Sequence, residues 1–299
     1  MNICPGPGTD AGPWIIGSRA QHQVWKRLFG PSNHDYTARK GITTDANGIF
    51  FVSVSQVDPE ARTCRIQNHP EIGRREDIPQ ATATVEMEHL FPLLRGRGVT
   101  AFKAVADEAY SVLVPQRGMH GTPDLPTSHP RTHRYLARFR GVLESRSSYK
   151  RFQRKQPWWS LWSTGAYTFS PYKVAWREMP GGLFAAALVS PQEDPVWGAR
   201  IVIPDHKLYF VPCSTHEQAG YLTGLLNAPT IAQAISAYAA RLSLGVSVVE
   251  YLALPSFDSA DAAHQAISQH AIHLTHQPGR PTPEQWEELD TLARGIFSL

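Results

Sequence analysis

Gly41-Ile42-Thr43-Thr44-Asp45-Ala46-Asn47-Gly48, followed at once by Ile49-Phe50-Phe51-Val52-Ser53-Val54, is the stretch on which the fold turns. Its first half is turn chemistry: small polar side chains and an Asn-Gly pair, residues that accept bent backbone and hydrogen-bond it locally. Its second half is a β-rich apolar run of strand length, which predicts a buried strand. Thr63 to Gln67 is the natural partner. A hairpin-like unit ending in a buried strand is therefore expected.

Further strands are expected at Tyr110 to Pro115, Lys173 to Trp176, Phe184 to Val189, Ala199 to Ile203 and Tyr209 to Val211, joined in one mixed sheet, with another at Val246 to Leu254. Glu86 to Val99 reads as a structured turn because Pro92, Gly96 and Gly98 interrupt it. Helical spacing predicts helices over Trp14 to Phe29, Thr132 to Arg146, His216 to Leu226, Thr230 to Ala240, Ala260 to Thr275 and Pro283 to Phe297. The class is α+β: a mixed sheet with flanking helices and a helical C-terminal part. The expected division is a linker over 1–13, a main domain over 14–212 and a helical part over 213–299 that offers a docking surface.

The 299 residues are 42% hydrophobic and 18% charged, with a formal charge of +3, which fits a globular chain. No apolar run approaches the roughly 20 residues of a membrane span, and the N-terminus lacks the pattern of a signal peptide, so a cytoplasmic location is expected. Cys4, Cys64 and Cys213 are isolated, and the 13 histidines are scattered, so no metal site is expected. Charge distribution is more telling than net charge. Between residues 131 and 155 stand Arg131, Arg134, Arg138, Arg140, Arg146, Lys150, Arg151, Arg154 and Lys155, against the single acid Glu144. That concentration is the footprint of a phosphate-binding face.

The sequence carries no convincing catalytic set. There is no strand followed by a Gly-rich turn for S-adenosylmethionine and no Asn/Asp-Pro-Pro-aromatic loop; Asn227-Ala228-Pro229-Thr230 lacks both the second proline and the aromatic. Pro204-Asp205-His206-Lys207 touches on a nuclease core, but no acid-x-Lys pair completes it, and an ordinary strand-turn is the simpler reading.

Five segments, in order, resemble the C-terminal target-recognition region of adenine-N6 DNA methyltransferases of the Eco57I-like, fused restriction-modification and phage-exclusion type. They are Ala38 to Val52; Glu86 to Val99, with Gly98 where the family often has Asp; Tyr135-Leu136 with Phe139, Leu143 and Arg146; Pro157-Trp158-Trp159 with Lys173 to Arg177; and Tyr221-Leu222 with Leu225-Leu226-Asn227, then Leu254-Pro255 with Phe257-Asp258. In that family a catalytic domain precedes this region, and this chain begins near where that domain would end.

The resemblance implies recognition of double-stranded DNA for a separate methyltransferase subunit, which would hold the S-adenosylmethionine, with no cofactor bound here. Candidate DNA contacts are Arg39, Lys40, Thr43, Thr44, Asn47, Arg95, Arg97, Arg131, Arg134, Arg138, Lys150, Arg151, Arg154, Lys155 and Lys173, with Trp158 and Trp159, and beside them Trp162, as candidate base-stacking residues. Bland readings stand beside these: a basic turn pinned to Glu86 or Glu88, simple turn chemistry at Asn47-Gly48, and core packing for the tryptophans. The alternatives for the whole chain are a nuclease or cryptic methyltransferase with an unrecognised site, and a regulatory protein of a defence complex that binds no DNA.

Overall fold

A computed structural model describes residues 2–5, 14–30, 34–179, 181–194, 198–239 and 245–299. The fold is α+β, with two larger sheets among the described residues in place of the single sheet expected. The first sheet has six strands in the order Ile203–Pro204, Leu90–Leu94, Ser111–Leu113, Phe51–Asp58, Thr63–Asn68, Thr82–Glu86. The second has five: Arg39–Lys40, Leu208–Cys213, Tyr172–Arg177, Ala186–Val189, Phe102–Lys103. Each contains one parallel pairing, 203–204 with 93–94 and 187–188 with 102–103, and is otherwise antiparallel.

Alternation along Tyr172–Arg177 sends its side chains to two different cores, so its four middle residues are all buried. Val174 and Trp176 enter a core shared with the helices His216–Asn227, Pro229–Ala239, Ala262–His276 and Pro283–Ile296. Ala175 enters a smaller core with Leu94, Leu208 and Phe210, where the two sheets face each other. The first sheet packs its own core under Tyr135, Leu136, Phe139, Leu143 and Leu161. The helix Arg19–Leu28 contributes Trp25 and Leu28 to the same core as the C-terminal helices.

Several elements differ from the sequence reading for identifiable reasons. Asn2–Pro5 pairs with Trp14–Gly17 as a two-stranded ribbon, and the first helix starts at Arg19 behind a Ser18–Gln21 capping box. Residues 6–13 of the expected linker lie outside the described residues, as does Ala240. Leu90–Leu94 is a strand despite Pro92, because its partner 203–204 pairs only Leu93 and Leu94 and leaves the proline at the margin of that ladder. The basic helix is broken: Pro130–Ala137 closes with tight backbone bonds from Arg138 to Tyr135 and from Phe139 to Leu136, and Arg140–Ser145 resumes. Where a strand was expected over 246–254, Ser247–Glu250 is a helical turn and Leu252 makes a lone bridge to Phe29.

The sheets are joined at Gly41. Its amide donates to the Leu208 carbonyl, and a Cβ there would sit 2.0 Å from the Asp205 carbonyl oxygen, so no side chain fits. Ile42 then bridges Asp205 in parallel. This crossing places the 43–47 turn and the 205–207 turn side by side.

Candidate nucleic-acid interface

The 43–47 turn is held from within and from below. The buried Thr44 hydroxyl donates to Asn47 Oδ1 and accepts from the Ala46 amide at 3.2 Å. Beneath it lies Arg146, fully buried, whose guanidinium donates to the carbonyls of Leu143 (2.9 Å), Thr44 (3.0 Å), Trp158 (2.8 Å) and Ser160 (2.9 Å). It also lies over the Phe50 ring. Burial pulls its pKa down to about 10; carbonyl dipoles on four sides keep the cation tolerable there. Above, exposed Asp45 adopts φ 50° and accepts the Ser148 amide at 2.8 Å.

Over this turn opens a cleft of about 540 Å³. Its walls come from five segments: Thr43 to Asn47, Ile72 to Ile78, Arg95, Ser145 to Ser147, and Asp205 to Lys207. Arg74 and Lys207 are exposed; Arg75 and Arg95 are partly buried. Arg75 is braced by Asp77 at 2.6 Å, which raises its pKa, and Arg95 by Asp107 at 3.5 Å. Among the acids lining the cleft, Asp205 is buried, accepts the Lys207 amide at 2.9 Å, and is raised in pKa by that burial. His206 is lowered in pKa, again chiefly by burial. The cleft is therefore polar and cationic, lined by Thr43, Asn47, Ser145 and Ser147 together with Arg74, Arg75, Arg95 and Lys207. Such a surface suits phosphate oxygens and base edges.

Of the residues singled out from sequence, Thr43, Asn47 and Arg95 line the cleft, with Thr44 directly beneath. Arg97 projects into a neighbouring concavity of about 320 Å³, paired to Asp107 at 2.6 Å; neither glutamate suggested as its anchor takes that part. Those glutamates are used elsewhere. Glu86 receives the amides of Arg131 and Thr132 at the start of Pro130–Ala137, and Glu88 pairs with Arg62 at 2.6 Å. Arg39 is exposed on the second sheet, over the Tyr167 ring, while Lys40 pairs with Glu178 at 2.7 Å. Arg131, Arg134 and Arg138 are exposed along the helix beside the 82–86 strand, with Arg138 donating to the Thr82 carbonyl. Lys150, Arg151, Arg154 and Lys155 are exposed on the turn after it.

Three expectations are corrected. Lys173 is wholly buried, donating to the Ser170 carbonyl between the sheets, and burial lowers its pKa to about 7, so it is not a surface contact. Trp158 and Trp159 are 8% and 6% exposed and pack edge-to-face on each other and against His133, so neither offers a free ring face to a base. The large apolar area of each indole is better satisfied in the first-sheet core. The sequence reading missed Arg74, Arg75 and Lys207. The Gly73-Arg74-Arg75 step in a polar loop was the available signal for the first two; Lys207 had been read only as part of a turn.

Among the described residues no group of three or more His, Cys, Asp or Glu is placed to hold a metal ion, and no helix is long and apolar enough to cross a membrane. Cys64 and Cys213 are buried and free.

An α+β chain with a cationic cleft where two sheets meet is the class the fold and site define. No family model matches it. Over 144 residues, 48% of this chain, it is 31% identical to the Type II methyltransferase M.NspV of Nostoc sp. (strain ATCC 29411 / PCC 7524), and the match covers 28% of that enzyme. Among solved structures, the Type IIL restriction-modification enzyme MmeI in complex with DNA superposes with a TM-score of 0.49 at 10% identity, over 91% of this chain and 34% of that one. The sequence similarity is thus to part of a Type II methyltransferase and covers about half of this chain, and the chain spans well under half the length of either protein.

Proposed function

We propose that this chain is the target-recognition unit of an adenine-N6 DNA methyltransferase, within a restriction-modification or phage-defence system, and that it grips duplex DNA for a separate catalytic subunit carrying the S-adenosylmethionine. One observation carries the reading: residues distant in sequence, Thr43, Asn47, Arg74, Arg75, Arg95 and Lys207, converge on one polar cleft. The partial identity to a Type II methyltransferase supports the context.

The physics fits the role. Methylating a base inside a duplex requires it to leave the stack, so the flanking sequence has to be held. Exposed lysines and arginines supply the phosphate contacts that position the duplex. Small polar groups lining the cleft supply hydrogen bonds of fixed direction, which read base edges.

Salt-dependent binding to duplex DNA, followed by fluorescence anisotropy, tests this. Lys207→Ala is expected to weaken binding uniformly across sequences and to lower the salt slope by about one. Arg75→Ala and Arg95→Ala together are expected to cost about tenfold or more. Binding that is absent at low salt, or unchanged in both variants, contradicts the reading.

A further inference from the structure

Phe152 is 57% open to solvent, a large aromatic ring left on the surface. It is not a stray apolar side chain. One face of its ring stacks on Trp162, with centroids 4.4 Å apart and planes 17° from parallel. The turn that carries it, the π-helical Tyr149–Gln153, is fixed on both sides. The buried Gln153 amide donates to the Leu161 carbonyl at 3.0 Å, and the Tyr149 hydroxyl to the Gln156 carbonyl at 3.2 Å.

Its surroundings are cationic. Lys150, Arg151, Arg154 and Lys155 are exposed around it, and no Asp or Glu occurs between Glu144 and Glu178. The acid that touches this segment is Asp45, through the Ser148 amide. Trp162 is tied to the cleft by reciprocal backbone bonds with Thr43, 2.9 Å and 3.1 Å. The stack therefore stands next to the lip of the cleft on a rigid mount.

We infer that Phe152, backed by Trp162, is a nucleobase platform: its open face stacks on a base exposed by extrusion or by a kink in the duplex, while the flanking cations hold the adjoining phosphates. This rests on the duplex-binding reading above and adds the aromatic contact that the buried Trp158 and Trp159 do not provide. A π face accepts any base, so the platform contributes affinity for an unstacked base and no sequence preference. Cations beside an aromatic surface are the combination that favours nucleic acid over an apolar protein partner.

The test compares the full chain on a fully paired duplex and on the same duplex carrying one unpaired adenine. The wild type is expected to prefer the second by about tenfold. Phe152→Ala and Phe152→Leu are expected to lose that preference while keeping the paired-duplex affinity and salt slope, and Phe152→Trp to retain it. Equal preference in wild type and Phe152→Ala overturns the platform and leaves duplex binding intact. So does a wild type that binds both duplexes alike, or a Phe152→Ala loss that is equal on the two; each makes the exposed ring a protein contact or a scaffold. A wild type that binds neither duplex overturns both proposals.

Discussion

Arg146 is a buried cation held by carbonyl dipoles, and it supports the turn that forms one wall of the cleft. Replacing it with Met leaves the carbonyls of Leu143, Thr44, Trp158 and Ser160 without their shared donor. A stability loss of about 3 kcal/mol is expected, read by urea denaturation, with incomplete rescue by Lys because an ammonium cannot reproduce the guanidinium fork. In the sequence this residue looked like one more member of the basic stretch. Its place three residues after the buried Leu143 put it on the apolar side of the helix, and that spacing was the available clue. Lys173 was harder to read, because a cation ahead of Val-Ala-Trp looks like a strand end; only the packing of the first sheet over Ala175 and Phe210 closes it off. Burial holds its pKa at about 7, below an unfolded value near 10.4. Between those values the unfolded chain binds the extra proton, so this residue's contribution to stability rises with pH across that window. Lys173→Met is therefore expected to be more stable than wild type at about pH 6 to 7, with the gain shrinking toward about pH 10 in paired denaturation curves. The neighbouring Cys213 thiol, pushed up to about 12 by burial, stays neutral in the folded chain over that range.

Among elements, helix existence and type were legible wherever the apolar spacing was long, as in 216–227, 262–276 and 283–296. The break between 130–137 and 140–145 was not, because the buried Phe139 suits a continuous helix in pattern and a tight turn in packing. Pairing was the least legible level. Two-residue strands such as 39–40 and 203–204 carry no periodic signal, yet they are what divide one expected sheet into two. Close packing between helices also depends on single residues. Gly224 faces Ile267 so closely that an added Cβ would fall 2.6 Å from its Cγ2, with the Ile267 carbonyl oxygen at 3.2 Å. Gly224→Ala is expected to destabilise the chain by about 1 to 3 kcal/mol through overpacking, seen as a lower Tm, while DNA affinity measured below the transition stays unchanged.

At the scale of the whole molecule, the two sheets meet at Gly41 and Asp205, and the cleft is a consequence of that meeting. The turn and Arg95 were legible in the sequence. It gave no means to see that 72–78 and 205–207 form the opposite walls, since their approach depends on the sheet crossing. The remaining candidates of the basic stretch, Arg131 to Arg138 and Lys150 to Lys155, are exposed on the helix and turn that pack on the first-sheet core. Amide hydrogen exchange with and without duplex DNA tests the central claim most directly. Slowed exchange is predicted at 43–47, 72–78, 147–155 and 205–207, with none across 216–239 or 262–296. Protection confined to the C-terminal helices, or absent everywhere at low salt, would contradict the account.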